Sequence, residues 1–288
     1  MVSRLDLYKD CVRKLNEHEI DGAEFDTMCI FQKVFKENNP LFKPNDEVDN
    51  SHICKIYNDI EYRCEGKPLQ YILGEWDFWK YTFRVGEGVL IPRPDTETLI
   101  ENVLDICGKN NLKSPKILDL CSGSGCIAIT LDKEIPQSVV YAVEKYDTAF
   151  EYLEENIKFN NSDVIAIKAD VLVPDNALKF RNFDIIVSNP PYLTAEEMQD
   201  LQKEVQAEPE SALFGGTDGL DFYRAITEIW KSSLKTGGYI CYEFGMNQHN
   251  TIADILKPHN FININFTKDT GGIIRTVTAE KQEEKENG

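Results

Sequence analysis

The fold of this chain is decided by the stretch KILDLCSGSGC at residues 116–126. Residues 116–120 are mostly apolar and are predicted to form a buried strand, and a helix is predicted from Ile127. The glycine loop between them, residues 121–125, lets a ligand approach the backbone closely and near a helix N-terminus. The stretch therefore predicts an open α/β sheet with a binding site at the carboxyl end of this strand.

Two further predicted strands also end in carboxylates. Residues 139–143 lead into Glu144, nineteen residues after Gly125, which is close to the spacing of a carboxylate that holds ribose hydroxyls. Residues 164–169 lead into Asp170. The glycine loop lacks the full glycine pattern of dinucleotide sites, and a ligand without phosphates would need that pattern less.

S-adenosylmethionine fits this ordered set of strand ends. We expect Asp119 to face its ammonium group, Glu144 its ribose, and Asp170 with Val171 its adenine. The remaining residues predicted to contact the cofactor are Cys121, Ser122, Gly123, Ser124, Gly125 and Asn189.

A fourth predicted strand, residues 183–188, is followed by Asn189, Pro190, Pro191 and Tyr192, which we call the amide clamp. Two successive prolines fix φ and remove two backbone donors, leaving rigid carbonyls that only accept hydrogen bonds. The Asn189 side chain and the Pro190 carbonyl can together hold both hydrogens of one planar amino or amide group. Tyr192 offers a flat face against its π-system. We therefore predict catalytic roles for Asn189, Pro190 and Tyr192, and substrate contacts for the whole clamp.

These motifs together resemble the HemK-type protein-glutamine methyltransferases. The resemblance covers nearly the whole chain and extends to residues 74–79, 90–97 and 208–220. The clamp alone also occurs in enzymes that methylate amino groups of nucleic acids, whereas the segment containing Arg93 is similar to the glutamine-specific branch. The resemblance implies methylation of the glutamine in the Gly-Gly-Gln motif of class 1 peptide chain release factors, with S-adenosylhomocysteine as the product.

The same resemblance adds Arg93 and Phe78 to the predicted substrate site. For Arg93 the alternative is a surface ion network with Asp95 and Glu97, and for Phe78 it is a core position. Two positions depart from the family pattern: Cys121 stands where the family usually has glycine, and Glu144 where it often has aspartate. We expect Cys121 to adopt an ordinary φ and Glu144 to keep the function of the carboxylate.

Composition agrees with an enzyme of two domains. A chain of 288 residues with 42% hydrophobic content can bury one large core and a smaller one. No long apolar run and no basic and apolar leader occurs, so we expect a cytoplasmic protein without a membrane span. The eight cysteines and four histidines show no metal-ligand spacing, and no metal is expected.

The net charge of the chain indicates which class of partner it can bind. Lysine and arginine number 31 and aspartate and glutamate 49, giving a net charge of −18. This balance makes nucleic acid an unlikely partner, because binding to a phosphate backbone depends on many cationic contacts. A basic protein partner fits better, although an acidic surface that serves only solubility stays open.

The apolar patterns predict three parts. Residues 1–73 are predicted to form a helical substrate-recognition domain, and residues 74–92 a β-hairpin linker with alternating aromatic side chains. Residues 93–288 are predicted to form a Rossmann-like, seven-stranded S-adenosylmethionine-dependent methyltransferase domain. Its sheet should be mainly parallel with an antiparallel final strand. Residues 281–288 are predicted to be a frayed charged tail.

Three other functions stay open at this point. The enzyme could methylate a glutamine of another protein, for example a ribosomal protein, or an exocyclic amino group of a nucleic acid. A non-catalytic cofactor-binding module is the third, but it would predict decay of the glycine loop or the clamp, and both are intact.

Overall fold

A computed structural model describes residues 2–283 of the chain and divides it into two compact units. The first contains the residues up to Glu75 together with Gln202–Ala207, and the second contains Trp76–Leu201 and the residues from Glu208 onward. Residues 284–288, the end of the predicted charged tail, lie outside the described residues. None of the helices within residues 2–283 is both long and apolar enough to cross a membrane.

The first unit is helical, as its spaced apolar residues predict. It comprises α1 (Arg4–Glu17), α2 (Ala23–Phe35), α3 (Asn50–Cys64), α4 (Leu69–Leu73) and the later short helix α9 (Lys203–Gln206). Leu7, Cys11 and Leu15 form the buried stripe of α1, each four residues from the next. Ser3 begins this helix by accepting a hydrogen bond from the Asp6 backbone N–H through its side chain.

A buried arginine holds α9 within this unit. The Arg63 side chain is only 5% exposed; its Nε lies 2.6 Å from Asp26 Oδ2, and its Nη2 pairs with Glu204. Two carboxylates thus offset the cost of burying the guanidinium. The placement of residues 202–207 with the helical unit was not predicted from the sequence.

The second unit is built on a seven-stranded sheet in the order β5-β4-β3-β6-β7-β9-β8. Its strands are β3 (Lys116–Leu120), β4 (Val139–Glu144), β5 (Ile165–Lys168), β6 (Phe183–Ser188), β7 (Leu234–Glu243), β8 (Phe261–Lys268) and β9 (Ile274–Lys281). Strands β3 to β7 pair in parallel, and β9 runs antiparallel between β7 and β8. The predicted mainly parallel sheet with an antiparallel final strand is confirmed.

Helices cover both faces of this sheet. One buried cluster includes side chains of α5 (Glu97–Lys109), α6 (Cys126–Glu134) and α7 (Asp147–Phe159), and the other includes those of α11 (Asp221–Trp230) and α12 (His249–Leu256). The short helices α8 (Pro174–Ala177) and α10 (Glu210–Leu213) lie in the connections. Strands β3, β4 and β6 are mostly buried, as expected for parallel strands covered on both faces, whereas the edge strand β5 is partly exposed.

The hairpin consists of β1 (Glu75–Phe78) and β2 (Tyr81–Arg84). Phe78 and Phe83 are buried in the cluster that contains α5 and α6. From Trp76 onward the hairpin therefore packs as part of the second unit.

The order of the strands in the sheet determines where the binding site lies. The chain runs from β3 outward to β5, then returns to add β6 on the other side of β3. Ligands bind at such a reversal, beyond the carboxyl ends of the two strands. Leu120 pairs with Ser188 across it, so the next residues along the chain, Cys121 and Asn189, begin neighbouring loops.

Candidate functional site

A cavity opens at this reversal, within the second unit. The predicted site residues that line it are Arg93, Cys121, Ser122, Gly123, Ser124, Glu144, Asp170, Val171, Asn189 and Pro191. The glycine loop and Asn189 of the clamp therefore border one space. Asp119, Gly125, Pro190, Tyr192 and Phe78 do not line it.

The glycine loop is closed by short backbone hydrogen bonds. The N–H of Ser122 donates to the Val143 carbonyl at 3.0 Å, and the N–H of Gly125 donates to the Ser122 carbonyl at 2.8 Å. Gly125 has a φ of +81°, and a Cβ there would lie 2.5 Å from Leu153 Cδ1. Glycine is therefore required at this position by both backbone conformation and close packing.

Cys121 does not adopt the ordinary φ expected of it; its φ is +62°. The expectation was wrong because the chain turns sharply after β3, which brings the Ser122 N–H to the Val143 carbonyl. A residue with a Cβ costs about 1–2 kcal/mol in the left-handed region. Glycine, which lacks a Cβ, would avoid this cost at position 121.

Asp119 lies in β3, two residues before the loop turns at Cys121, and is fully buried. Neither of its carboxylate oxygens has a hydrogen-bonding partner among residues 2–283. Burial raises the pKa of Asp119 to about 8. A buried acid without a partner fits a site that receives a cationic group such as an ammonium.

Glu144 holds the glycine loop in place. Its Oε2 accepts from the Gly123 N–H at 2.9 Å, and its Oε1 accepts from the N–H groups of Lys145 and Tyr146 at 2.7 and 2.8 Å. Oε2 retains a lone pair for a further donor such as a hydroxyl. Asp170, at the next strand end, lies 2.9 Å from Lys145 Nζ.

The amide clamp is held by residues distant in sequence. Gln248 Nε2 donates to the Tyr192 carbonyl at 3.0 Å, and the N–H of Leu193 donates to the Leu213 carbonyl at 2.8 Å. Asn189 Nδ2 lies 3.3 Å from Thr96 Oγ1. Tyr192 packs against the cluster of α11 and α12, and burial raises its pKa well above the usual value.

Two glycines of the segment 208–220 allow this packing. A Cβ at Gly215 would lie 2.6 Å from the Pro191 carbonyl oxygen, and one at Gly219 would lie 2.2 Å from that of Tyr192. Gly219 also has a φ of +73°. These glycines let the segment lie directly against the clamp backbone.

Arg93 lines the cavity and pairs with Glu208, a carboxylate that sequence reasoning noted only as part of the resemblance. Glu208 is 6% exposed and also accepts from the Ile91 N–H at 3.0 Å. It therefore anchors the backbone that carries Arg93. The arginine is not part of a network with Asp95 and Glu97 in this structure; its recorded ion pair is with Glu208.

Phe78 is a core residue, which is the alternative interpretation of this position. It is 2% exposed, and its ring centroid lies 6.1 Å from that of Phe83 in an edge-on arrangement. It packs in the core and does not line the cavity.

Two buried residues beside the clamp were missed. Thr96 and Glu243 are each 2% exposed, and hydrogen bonding from Thr96 and Asn189 favours the charged form of Glu243. The apolar run before Glu243 predicts a strand, but nothing in it predicts which loop the carboxyl meets. Within the described residues, no group of three or more His, Cys, Asp and Glu side chains could hold a metal ion.

Comparisons with known proteins match both parts of the chain. Residues 6–74 match the family model described as the PrmC N-terminal domain, and residues 95–216 match the model described as the methyltransferase small domain. A release factor glutamine methyltransferase from Thermodesulfovibrio yellowstonii is 37% identical, over 96% of this chain and 98% of that protein. The chain belongs to the release factor glutamine methyltransferase family. Another member, from Fusobacterium nucleatum, is 36% identical over 98% of this chain and 80% of its own length.

Solved structures agree on the fold of this family member. The 16S rRNA N2 G1207 methyltransferase of T. thermophilus, in complex with AdoMet and guanosine, has a TM-score of 0.52 at 21% identity, covering 70% of this chain and 47% of that chain. The resemblance predicted from the motifs is confirmed, and so is the methyltransferase fold with a helical N-terminal region. The protein is accordingly an enzyme of the release factor glutamine methyltransferase family.

Proposed function

We propose that this enzyme transfers a methyl group from S-adenosylmethionine to the glutamine side-chain nitrogen in the Gly-Gly-Gln motif of class 1 peptide chain release factors, modulating translation termination in the cytoplasm. The observation that carries the proposal is Asn189, which borders the same cavity as the glycine loop. A hydrogen-bond acceptor for an amide thus lies beside the loop proposed to hold the methyl donor.

The residues present fit S-adenosylmethionine. Bound there, it would supply an electrophilic sulfonium methyl and leave as S-adenosylhomocysteine. The unpartnered Asp119 carboxyl would pair with its ammonium group, and Glu144 Oε2 would accept from its ribose. Asp170 and Val171 line the cavity and would contact its adenine.

The clamp would overcome the poor nucleophilicity of an amide, whose nitrogen lone pair is delocalised into the carbonyl. Asn189 Oδ1 and the Pro190 carbonyl would accept the two N–H bonds, which orients the nitrogen and favours the positive charge that develops on it. Orientation alone can lower such barriers by about 7–11 kcal/mol.

No general base is needed in this mechanism. Once alkylated, the nitrogen becomes strongly acidic and its proton can pass to water. Tyr192 would stay protonated and act only by packing, since burial raises its pKa.

Residues 1–73 are proposed to bind the release factor. Their match to the PrmC N-terminal domain over residues 6–74 supports a role specific to this family. The net charge of −18 agrees with a partner that presents basic residues near its glutamine.

The test is transfer of labelled methyl from S-adenosylmethionine to purified release factor. Parallel reactions contain the release factor with its Gly-Gly-Gln glutamine changed to alanine, a ribosomal protein fraction, and DNA. Label on the unmodified release factor alone is expected. Equal label on the alanine variant, or label on DNA in preference to protein, would refute the proposal.

A further inference from the structure

Glu243 is a buried carboxyl to which the mechanism above assigns no part. It ends β7, whose Tyr242 pairs with Ser188 at the end of β6. Glu243 therefore lies next to the position at which β6 continues into Asn189. Glu243 is 2% exposed, and the side chains of Thr96 and Asn189 lie near enough to its carboxyl to favour the charged form.

The surroundings of Glu243 determine its charge. Burial raises the pKa of Glu243 to about 7, while hydrogen bonding from Thr96, the charge of Arg275 and hydrogen bonding from Asn189 oppose this rise. Its Oε2 has no hydrogen-bonding partner within residues 2–283. Above pH 7 the group is mostly charged, and a charged carboxylate can only accept hydrogen bonds.

Thr96 connects this carboxylate to Asn189. Asn189 Nδ2 lies 3.3 Å from Thr96 Oγ1, which accepts its hydrogen bond. The threonine hydroxyl has one hydrogen to donate, and the carboxylate is the neighbour that can only accept it. Thr96 Oγ1 consequently accepts a hydrogen bond from the NH₂ group of Asn189, and Asn189 Oδ1 is turned away from Thr96.

We propose that Glu243 is a positioning residue for methyl transfer: by accepting from Thr96 and from the NH₂ end of Asn189, it fixes the direction of hydrogen bonding that keeps Asn189 Oδ1 available to the substrate amide. The inference rests on the proposed function, because it concerns the same clamp. Without an acceptor at position 243, the Thr96 hydroxyl can donate to Oδ1 and the Asn189 amide can invert. An inverted amide would present N–H groups to the N–H groups of the substrate, which cannot hydrogen-bond to one another.

Glu243→Met tests this, since methionine has similar length but no carboxylate. At pH 8 we expect kcat to fall on the order of 10- to 100-fold, since misplacing reacting groups by about 1 Å can cost about 100-fold. The KM for release factor and the Kd for S-adenosylhomocysteine should change by no more than about threefold, because neither depends on which end of Asn189 faces the substrate nitrogen. A residue that merely supports the fold would not produce this separation.

Variants at Thr96 sharpen the test. Thr96→Val should lower kcat by a similar factor, and Thr96→Ser, which keeps the hydroxyl, should retain most of it. Combining Glu243→Met with Thr96→Val should cost less than the sum of the two single losses, because both changes disturb the same group of hydrogen bonds. Thr130→Val serves as the control, since Thr130 is a buried threonine whose hydroxyl has no partner.

A second measurement needs no substrate. In nuclear magnetic resonance spectra we expect an Overhauser effect between the Asn189 side-chain NH₂ and the Thr96 side chain, and its loss in Glu243→Met. Unchanged kcat in Glu243→Met, additive losses in the double variant, or an Overhauser effect that persists would overturn the inference. Failure of the unmodified enzyme to methylate release factor would instead refute the proposed function, and the Overhauser measurement would still decide the role of Glu243.

Discussion

The glycine loop and the amide clamp both follow parallel strands of one sheet, but they are held in different ways. The glycine loop is fixed by nearby groups: Ser122 bonds the end of β4, and Glu144 receives the Gly123 N–H. The clamp is fixed by groups far along the chain, including Gln248 and Thr96. The glycine loop is thus held by the neighbouring strand, whereas the clamp is held by several segments distant in sequence.

The largest expected effect comes from removing the clamp's acceptor. Asn189→Ala should lower kcat by about 100- to 1,000-fold, since it deletes a group that stabilises developing charge. The Kd for S-adenosylhomocysteine should stay nearly unchanged, because the glycine loop does not depend on this side chain. Calorimetric titration and methyl-transfer rates would check both values.

The matched control is Asn250→Ala, at an exposed position of α12. Its kcat should equal that of the unmodified enzyme. Near-normal turnover in Asn189→Ala would show that the clamp does not orient the amide.

The second prediction concerns what supports the clamp. Gly219→Ala would place a Cβ 2.2 Å from the Tyr192 carbonyl oxygen and should lower kcat by up to about 100-fold, the cost of a displacement near 1 Å. Gly237→Ala is the control, because Gly237 has a φ of +75° but no atom within 4 Å of the added Cβ. Both variants should lose about 1–2 kcal/mol of folding free energy through backbone strain. Equal kcat in the two folded variants would contradict the role of this contact.

The third prediction concerns the glycine-loop side. Asp119 has its pKa raised to about 8, so it is largely protonated at pH 7. Pairing with an ammonium group favours its charged form, and binding should therefore release a proton. The affinity for S-adenosylhomocysteine should rise with pH between 6 and 7 by up to about tenfold per pH unit.

Calorimetry in buffers of different ionisation enthalpy would measure that proton release. Asp119→Asn should bind more weakly and lose the pH dependence, whereas Asp170→Asn should keep it. A flat profile for the unmodified enzyme would mean that Asp119 does not meet the ammonium group.

The smallest expected effect concerns the backbone of Cys121. At its φ of +62°, Cys121→Gly should be more stable than Cys121→Ala by about 1 kcal/mol, measured by urea unfolding. At Cys54, exposed in α3, the order should reverse, with glycine less stable than alanine by about 0.5–1 kcal/mol. The same order at both positions would contradict a strained loop.

The two regions also differ in how well the sequence predicted them. The first strand, the glycine loop and the carboxylates at the next two strand ends follow one another in the chain. Ser122, Glu144 and Asp170 could therefore be placed at one cavity from the sequence pattern alone. A cysteine at position 121 did not reveal that its φ is positive. The sharp turn there follows from the hydrogen bond of the Ser122 N–H to Val143, which lies on another strand. Position 121 is also one of the two positions, with Glu144, at which the chain departs from the family pattern.

For the clamp, the sequence predicted the residues that are proposed to hold the substrate amide, but not the residues that support them. Asn189 could be recognised from its prolines and the strand before it. Thr96, Gln248 and Glu243 could not be joined to it, because each lies more than fifty residues away in the chain. Glu243 lies beside Asn189 because β7 pairs with β6. The order in which strands pair cannot be predicted from the local periodicity of the sequence.

The placement of Gln202–Ala207 within the helical unit has a practical consequence for domain grafting. Replacing only residues 1–75 with those of a relative would separate Glu204 from the Arg63 and Asp26 of its own chain, with which it forms an ion-pair group. A working hybrid would therefore have to exchange this short internal stretch together with the amino-terminal helices. Under the proposed role of the helical unit in binding the release factor, specificity in such hybrids would be inherited from two separated pieces of the gene rather than one.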